Sequence, residues 1–307
     1  MNENSFETEI DLKMIFQLLW NKKLFISIIV SIAAIFSVLY ALSLPNIYTS
    51  KTLLAPTDND NSLTANMGSL NTLASIGGFN LQNENASKTQ EAIERIKSFD
   101  FFSSYFLPNI KLENIMAVKR WDSANNALIY DEAIFDKDLG KWIKISDDLN
   151  PIPSHQEAFK RYNDILNISE STATSFVSLS INHESPFIAK KWVDIIVVNI
   201  NESMREQDKE SAQRSIDFLE MQASSVNIQT IKDAISNLLE SQIQVLMMAS
   251  SNDAYVFKVL DSPFVPEEKS KPSRALICIL GTILGIFFST TFVIIRHYYF
   301  LENNNTL

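Results

Sequence analysis

Two stretches of the chain have no polar period. Residues 24–44 (LFISIIVSIAAIFSVLYALSL) and 275–295 (ALICILGTILGIFFSTTFVII) each run 21 positions without a charge. At about 1.5 Å per residue each reaches ~31 Å as a helix, the thickness of a bilayer hydrocarbon core. Both are therefore predicted as transmembrane helices. Ahead of the first, Ile10, Leu12, Ile15, Phe16, Leu18, Leu19 and Trp20 recur at near-helical spacing. They predict an amphipathic entry segment over 1–23, with Trp20 as an interfacial anchor.

Between these ends the pattern changes several times. Pro45 closes the first helix, and residues 46–55 alternate as a strand. Residues 57–90 are rich in Asn, Ser and Thr around a small apolar patch and hold three of the six glycines. A helix is predicted over 90–106. Residues 111–172 read as short helices and polar turns, with helix over 155–167. In 174–182, Val177, Leu179 and Ile181 share one face of a half-buried strand. From Ser185-Pro186, a good helix start, helical spacing runs to about residue 250. Along it a stripe passes Ile216, Leu219, Ala223, Val226, Ile231, Ile235, Leu238, Gln242 and Val245, close to a heptad seam. One uninterrupted helix of that length would reach roughly 95 Å. Ser224 to Asn227 is poor helix material and a place for a break. A narrow apolar stripe on a long helix must fold back or meet another subunit, and a homo-oligomer is expected. A last strand over 253–261 is expected to join those near 47–55 and 174–182. The fold class read from this is an α+β membrane protein: two transmembrane helices flank a periplasmic α/β base domain with a long extended helix over about 185–250.

Charge sets the orientation. Lys22 and Lys23 precede the first span, and Arg296 and His297 follow the second. The excess of positive charge at those ends predicts cytoplasmic tails over 1–23 and 296–307 and a periplasmic domain over 45–274. Lys269, Lys271 and Arg274 oppose this, but the first helix usually dominates. The formal net charge is −10, which argues against nucleic acid as a partner. Cys278 is the single cysteine and His155, His183 and His297 are scattered, so no disulfide framework, metal centre or cofactor is expected. The chain has no Gly-x4-Gly-Lys-Ser/Thr, His-Glu-x2-His or Gly-x-Ser-x-Gly, and no catalytic constellation stands out.

The most specific local signal is at 263–285. Pro263-x2-Pro266 is followed by Pro272, flanked by Lys271 and Arg274, and Gly281-x3-Gly285 lies inside the second apolar stretch. The prolines stiffen the approach. The glycines let another helix come close, and the small residues Ala33, Ser37 and Ala41 offer a matching stripe on the first. With this segment, IDLKMIFQLLWNKK (10–23), LPNIYTSKTLLAP (44–56) and SLNTLASIGGFN (69–80), the chain resembles the Wzz-type polysaccharide chain-length determinants, or polysaccharide co-polymerases, over nearly its whole length. It departs from them in reading Lys271-Pro272-Ser273 where the family usually has Ser-Pro-Lys.

The resemblance implies a non-enzymatic inner-membrane homo-oligomer. Such a protein regulates O-antigen chain length with a Wzy-type polymerase, with membrane lipid and the nascent polysaccharide as further candidate partners. A larger relative carries a tyrosine kinase domain after the second span; the sequence runs about 12 residues beyond it, and no kinase activity is expected. The alternatives are an adaptor for a separate kinase in capsule or exopolysaccharide export, or a two-span periplasmic sensor.

Overall fold

The computed structural model describes residues 12–57, 84–143, 151–251 and 254–304. In chain order the helices are α1 (Leu12–Asn21), α2 (Lys23–Ser43), α3 (Glu84–Ile96), α4 (Leu112–Met116), α5 (His155–Ile165), α6 (Pro186–Ser225), α7 (Gln229–Ser251) and α8 (Arg274–Asn304). The strands are β1 (Tyr48–Pro56), β2 (Val118–Asp122), β3 (Ala127–Tyr130), β4 (Phe135–Asp136), β5 (Lys141–Trp142), β6 (Leu166–Glu170), β7 (Val177–His183) and β8 (Phe257–Asp261). They fall into two compact units, Met1–Asn46 with Ser270–Leu307, and Ile47–Lys269.

The first unit is built on α2 and α8, which pack against each other. Both are long and apolar enough to cross a membrane, and only 6% and 17% of their apolar windows are buried. The core helix of a soluble protein would be mostly buried, whereas the described residues leave these apolar surfaces largely uncovered. The described part of the entry segment, α1, packs on both helices.

The second unit is organised by an antiparallel four-stranded sheet of order β6-β7-β1-β8. β7 alternates buried and half-buried residues along its length, with Val177, Leu179 and Ile181 fully buried. α6 lies against β1 and β7 and contributes Trp192, Val193, Ile196 and Ile200 to a core shared with Phe101, Phe102, Phe106 and Tyr162. The Tyr162 hydroxyl donates to the Ile96 carbonyl at 2.9 Å, so its polar end is satisfied inside that core.

Several expectations need correction. The helix expected over about 185–250 is two helices. α6 ends at Ser225, Val226 is extended, and α7 starts at Gln229 and packs back on α6. The hydroxyls of Ser224 and Ser225 bond to the carbonyls of Met221 and Gln222, the local competition that weakens serine in a helix. Folding back also buries part of the stripe within one chain. The expected helix over 90–106 starts earlier and breaks: α3 ends at Ile96. Ser98 then caps a new turn, its Oγ accepting from the Phe101 amide, and Phe102–Phe106 is a π-helical turn. α5 stops at Ile165, and Leu166 and Asn167 belong to β6, paired with β7. Its start is a capping box: Ser154 Oγ accepts from the Glu157 amide and the Glu157 carboxylate accepts from the Ser154 amide. The region 111–172 also contains two small hairpins, β2–β3 and β4–β5. The described strands at 177–183 and 257–261 are shorter than, or offset from, the predicted runs. Residues 58–83 of the Asn/Ser-rich segment, with Gly68, Gly77 and Gly78, lie outside the described residues.

Candidate functional site

The segment around the second apolar helix begins in the sheet unit. Pro263 and Pro266 are buried. Two hydroxyls of β1 fix the chain between them and β8: Ser50 Oγ donates to the Phe264 carbonyl at 2.8 Å and Thr52 Oγ1 to the Asp261 carbonyl at 2.6 Å. Both hydroxyls are almost fully buried, so each would be costly unpaired. Lys271 is exposed and Pro272 half-buried. Arg274, at the start of α8, donates from Nη2 to Asn46 Oδ1 at 3.0 Å.

Along α8, Gly281 and Gly285 face α2. A Cβ built on Gly281 would stand 2.6 Å from Ser37 Cβ, and one on Gly285 would stand 2.7 Å from Ala33 Cβ. Neither separation is tolerable between carbon atoms, so any larger residue forces the helices apart. Ser37 Oγ donates to the Ile277 carbonyl at 2.9 Å, and Phe25 stacks on Phe292 at 6.1 Å between centroids. The small stripes are thus the contact surface of the pair.

The stripe along the α6–α7 hairpin divides. Ile216 and Ile235 are 8% exposed, inside the hairpin, and Leu219 is half-buried. Ile231 and Leu238 are 43% and 53% exposed, and Phe218, Met221, Ile228, Ile243 and Met247 are exposed with them.

Polar residues that pattern reasoning misses hold the base of this hairpin. Asn201, buried on α6, accepts through Oδ1 from the amides of Val256 and Phe257 at 2.8 and 2.9 Å. Its Nδ2 donates to the carbonyls of Phe257 and Val197. Asp208 takes the Tyr255 hydroxyl at 2.5 Å and the Lys88 ammonium at 2.9 Å. Burial, and then the bond to Asp208, push the Tyr255 pKa well up, so this phenol stays a donor. The only signal for these was an amide among apolar residues on α6 and a tyrosine before the last strand.

His183 closes β7. Its Nδ1 accepts from the Ser185 amide at 2.9 Å, so Nε2 carries the proton and donates to the Asn114 carbonyl at 2.9 Å. The ring packs edge-on to Trp192 at 4.7 Å. Burial holds its pKa below the usual histidine value, against the opposing pull of Glu184, which itself sits 3.6 Å from Arg161. Among the described residues no group of His, Cys, Asp and Glu could hold a metal ion.

Residues 8–106 match the family model "Wzz: Chain length determinant protein". This N-terminal third of the chain is thus similar to the Wzz chain length determinants. Towards the other end, residues 225–298 match "GNVR: G-rich domain on putative tyrosine kinase", spanning α7, β8 and most of α8. Among solved structures the chain is similar to a full-length bacterial polysaccharide co-polymerase. That match has 14% identity, covers 97% of this chain and 99% of that one, and has a TM-score of 0.41. It is also similar to a fragment of WzzB, a polysaccharide co-polymerase from Salmonella Typhimurium, at 13% identity over 74% of this chain and 100% of that one, with a TM-score of 0.32. No curated protein matches the chain.

Proposed function

We propose that this chain is a Wzz-type inner-membrane regulator that sets the length of a surface polysaccharide, the O-antigen of lipopolysaccharide, in concert with a Wzy-type polymerase. The observation that carries the reading is the Wzz match over 8–106, joined to two apolar helices that bracket one mixed α/β unit. In this reading residues 24–44 and 275–295 span the membrane, 45–274 lie in the periplasm, and both tails are cytoplasmic. The protein acts as a homo-oligomer and without catalysis of its own. The exposed stripe through Ile231 and Leu238 is its subunit contact. Pro263, Pro266, Lys271, Pro272, Arg274, Gly281 and Gly285 form the element that joins the domain to the membrane. Deleting the gene should turn a modal distribution of O-antigen lengths, read on a gel of surface polysaccharide, into a random one. An unchanged ladder would refute the O-antigen role.

A second reading is favoured by the match of residues 225–298 to a domain described on tyrosine kinases. The chain would then be the membrane adaptor of a separate kinase in capsule or exopolysaccharide export. Loss of capsule with an intact O-antigen ladder in the same deletion strain would select it.

A further inference from the structure

The sheet unit has one edge from which both of its links to the apolar helices leave. β1 begins there at Tyr48, and the returning chain passes there with the Phe264 carbonyl held on Ser50. β7 ends there, because His183 pairs with Tyr48, and α6 begins there at Pro186. Three aromatic rings meet at this edge. The Trp121 ring of β2 stands edge-on to Tyr48 at 5.5 Å and to Phe187 at 6.0 Å between centroids. Its indole N–H donates to Asn126 Oδ1 at 3.0 Å, which fixes the ring. Phe187 is 47% exposed although the flanking Pro186 and Ala189 are buried, and Phe264 is 51% exposed. The links are short. Tyr48 is five residues past Ser43, the last residue of α2, and five residues span at most about 18 Å. Asn46 is tied to the start of α8 by its bond from Arg274, which leaves two residues, about 7 Å of chain, before Tyr48. Where α2 and α8 cross a bilayer, these rings come within reach of its headgroup layer, roughly 5–7 Å deep on each side.

We infer that Tyr48, Trp121, Phe187 and Phe264 form an anchor that seats the sheet unit in the headgroup layer of the bilayer. The inference rests on the membrane reading above and adds a lipid-facing surface to it. Aromatic rings suit this layer because they offer an apolar body and, in Tyr and Trp, a polar tip. The driving force is burial of apolar area rather than charge, so zwitterionic phosphatidylcholine suffices as the partner. A sugar polymer is the competing occupant. It would reach the same rings from water, whereas the short links hold them at the bilayer before any polymer arrives.

The test is tryptophan quenching in the full-length chain held in phosphatidylcholine nanodiscs, where both faces are open to solvent. The emission lost in Trp121→Phe, a change that keeps an aromatic ring in place, is the emission of Trp121. It should be largely quenched when the lipid carries bromine on its upper acyl carbons, and little by iodide in the water. Phe187→Ser with Phe264→Ser, both at exposed positions, should weaken the lipid quenching and admit iodide. Quenching by iodide alone, quenching by neither, or lipid quenching unchanged in the double Ser variant would each overturn the anchor. So would iodide quenching that is relieved only by added surface polysaccharide, which would make the rings a glycan platform. Carbonate extraction of cell membranes keeps the two readings apart: a chain released by carbonate sinks the membrane reading, and a chain that stays embedded while Trp121 is quenched from water sinks only the anchor.

Discussion

Asn201 has four hydrogen bonds and almost no solvent. Asn201→Ala would leave the buried amides of Val256 and Phe257 without acceptors, at about 1–3 kcal/mol each. The expected loss is about 2–4 kcal/mol in denaturant unfolding of the protein, and a change under ~0.5 kcal/mol would show that water replaces the amide. His183 gives the second residue-scale expectation. Its folded pKa is depressed, so the unfolded chain binds the extra proton. The stability contributed is present above about pH 6.5, the unfolded value, and is lost as pH falls through the folded one. At pH 5.5 the loss is at most ~1.4 kcal/mol. Urea midpoints at pH 7.5 and 5.5 should therefore separate more for wild type than for His183→Gln; equal separation would remove His183 from the acid response.

At the scale of elements, the hairpin gives its stripe two roles that one substitution can tell apart. Ile235→Asp places a charge inside α6–α7, where an unpaired buried charge is costly, and should lower the unfolding midpoint. Leu238→Asp lies on the outer face and should leave that midpoint within about 0.5 kcal/mol while reducing the oligomer mass. Equal effects of both on stability would deny the outer face a separate role. For the helix pair, Gly281→Leu with Gly285→Leu should leave expression and insertion intact, because Leu favours an apolar span. It should separate α8 from Ser37 and Ala33 and shift the polysaccharide length distribution; a wild-type modal length would show that the close contact has no regulatory part.

The elements differ in how plainly the sequence announces them. α2 and α8 are legible because 21 uncharged positions in a row read as one long apolar helix at each end. The meeting of Gly281 and Gly285 with Ser37 and Ala33 is legible because only small residues can share that spacing. The turn at 226–228 is obscured because Val226 and Ile228 continue the apolar spacing, and only Ser224, Ser225 and Asn227 argue for a break. β2–β3 and β4–β5 are hidden by their length, two to five residues, with Lys119 and Arg120 outward and too little alternation to read. Leu166 extends the helical spacing of Tyr162 and Ile165, and only pairing with β7 makes it strand. Asn201, Asp208 and Tyr255 are invisible for another reason: their partners lie 47 to 120 positions away, and no local pattern encodes a contact at that range.

For the whole molecule, the placement proposed for the two units is tested by where a reporter is active. Alkaline phosphatase fused near Ser154 should be active, and fused after Leu307 inactive. The reverse result would invert the topology and remove the chain from periplasmic glycan assembly.

β1 is an inner strand of the four-stranded sheet, yet it leads the domain in sequence. Its neighbours are β7 and, across a pairing in which Thr52 reaches Asp261 over 209 positions, β8. Such a sheet has high contact order, and contacts of that separation form late and slowly. As the chain emerges from the ribosome, β1 comes out early; one edge waits for β7, and the other stays open until β8, when almost the whole domain has followed. The last strand arrives only a short way ahead of the second apolar helix. Domain closure and completion of the helix pair are therefore nearly simultaneous events in biosynthesis. A chain arrested before Phe257 would present an open strand edge, the kind of surface that aggregates or is cleared by proteases.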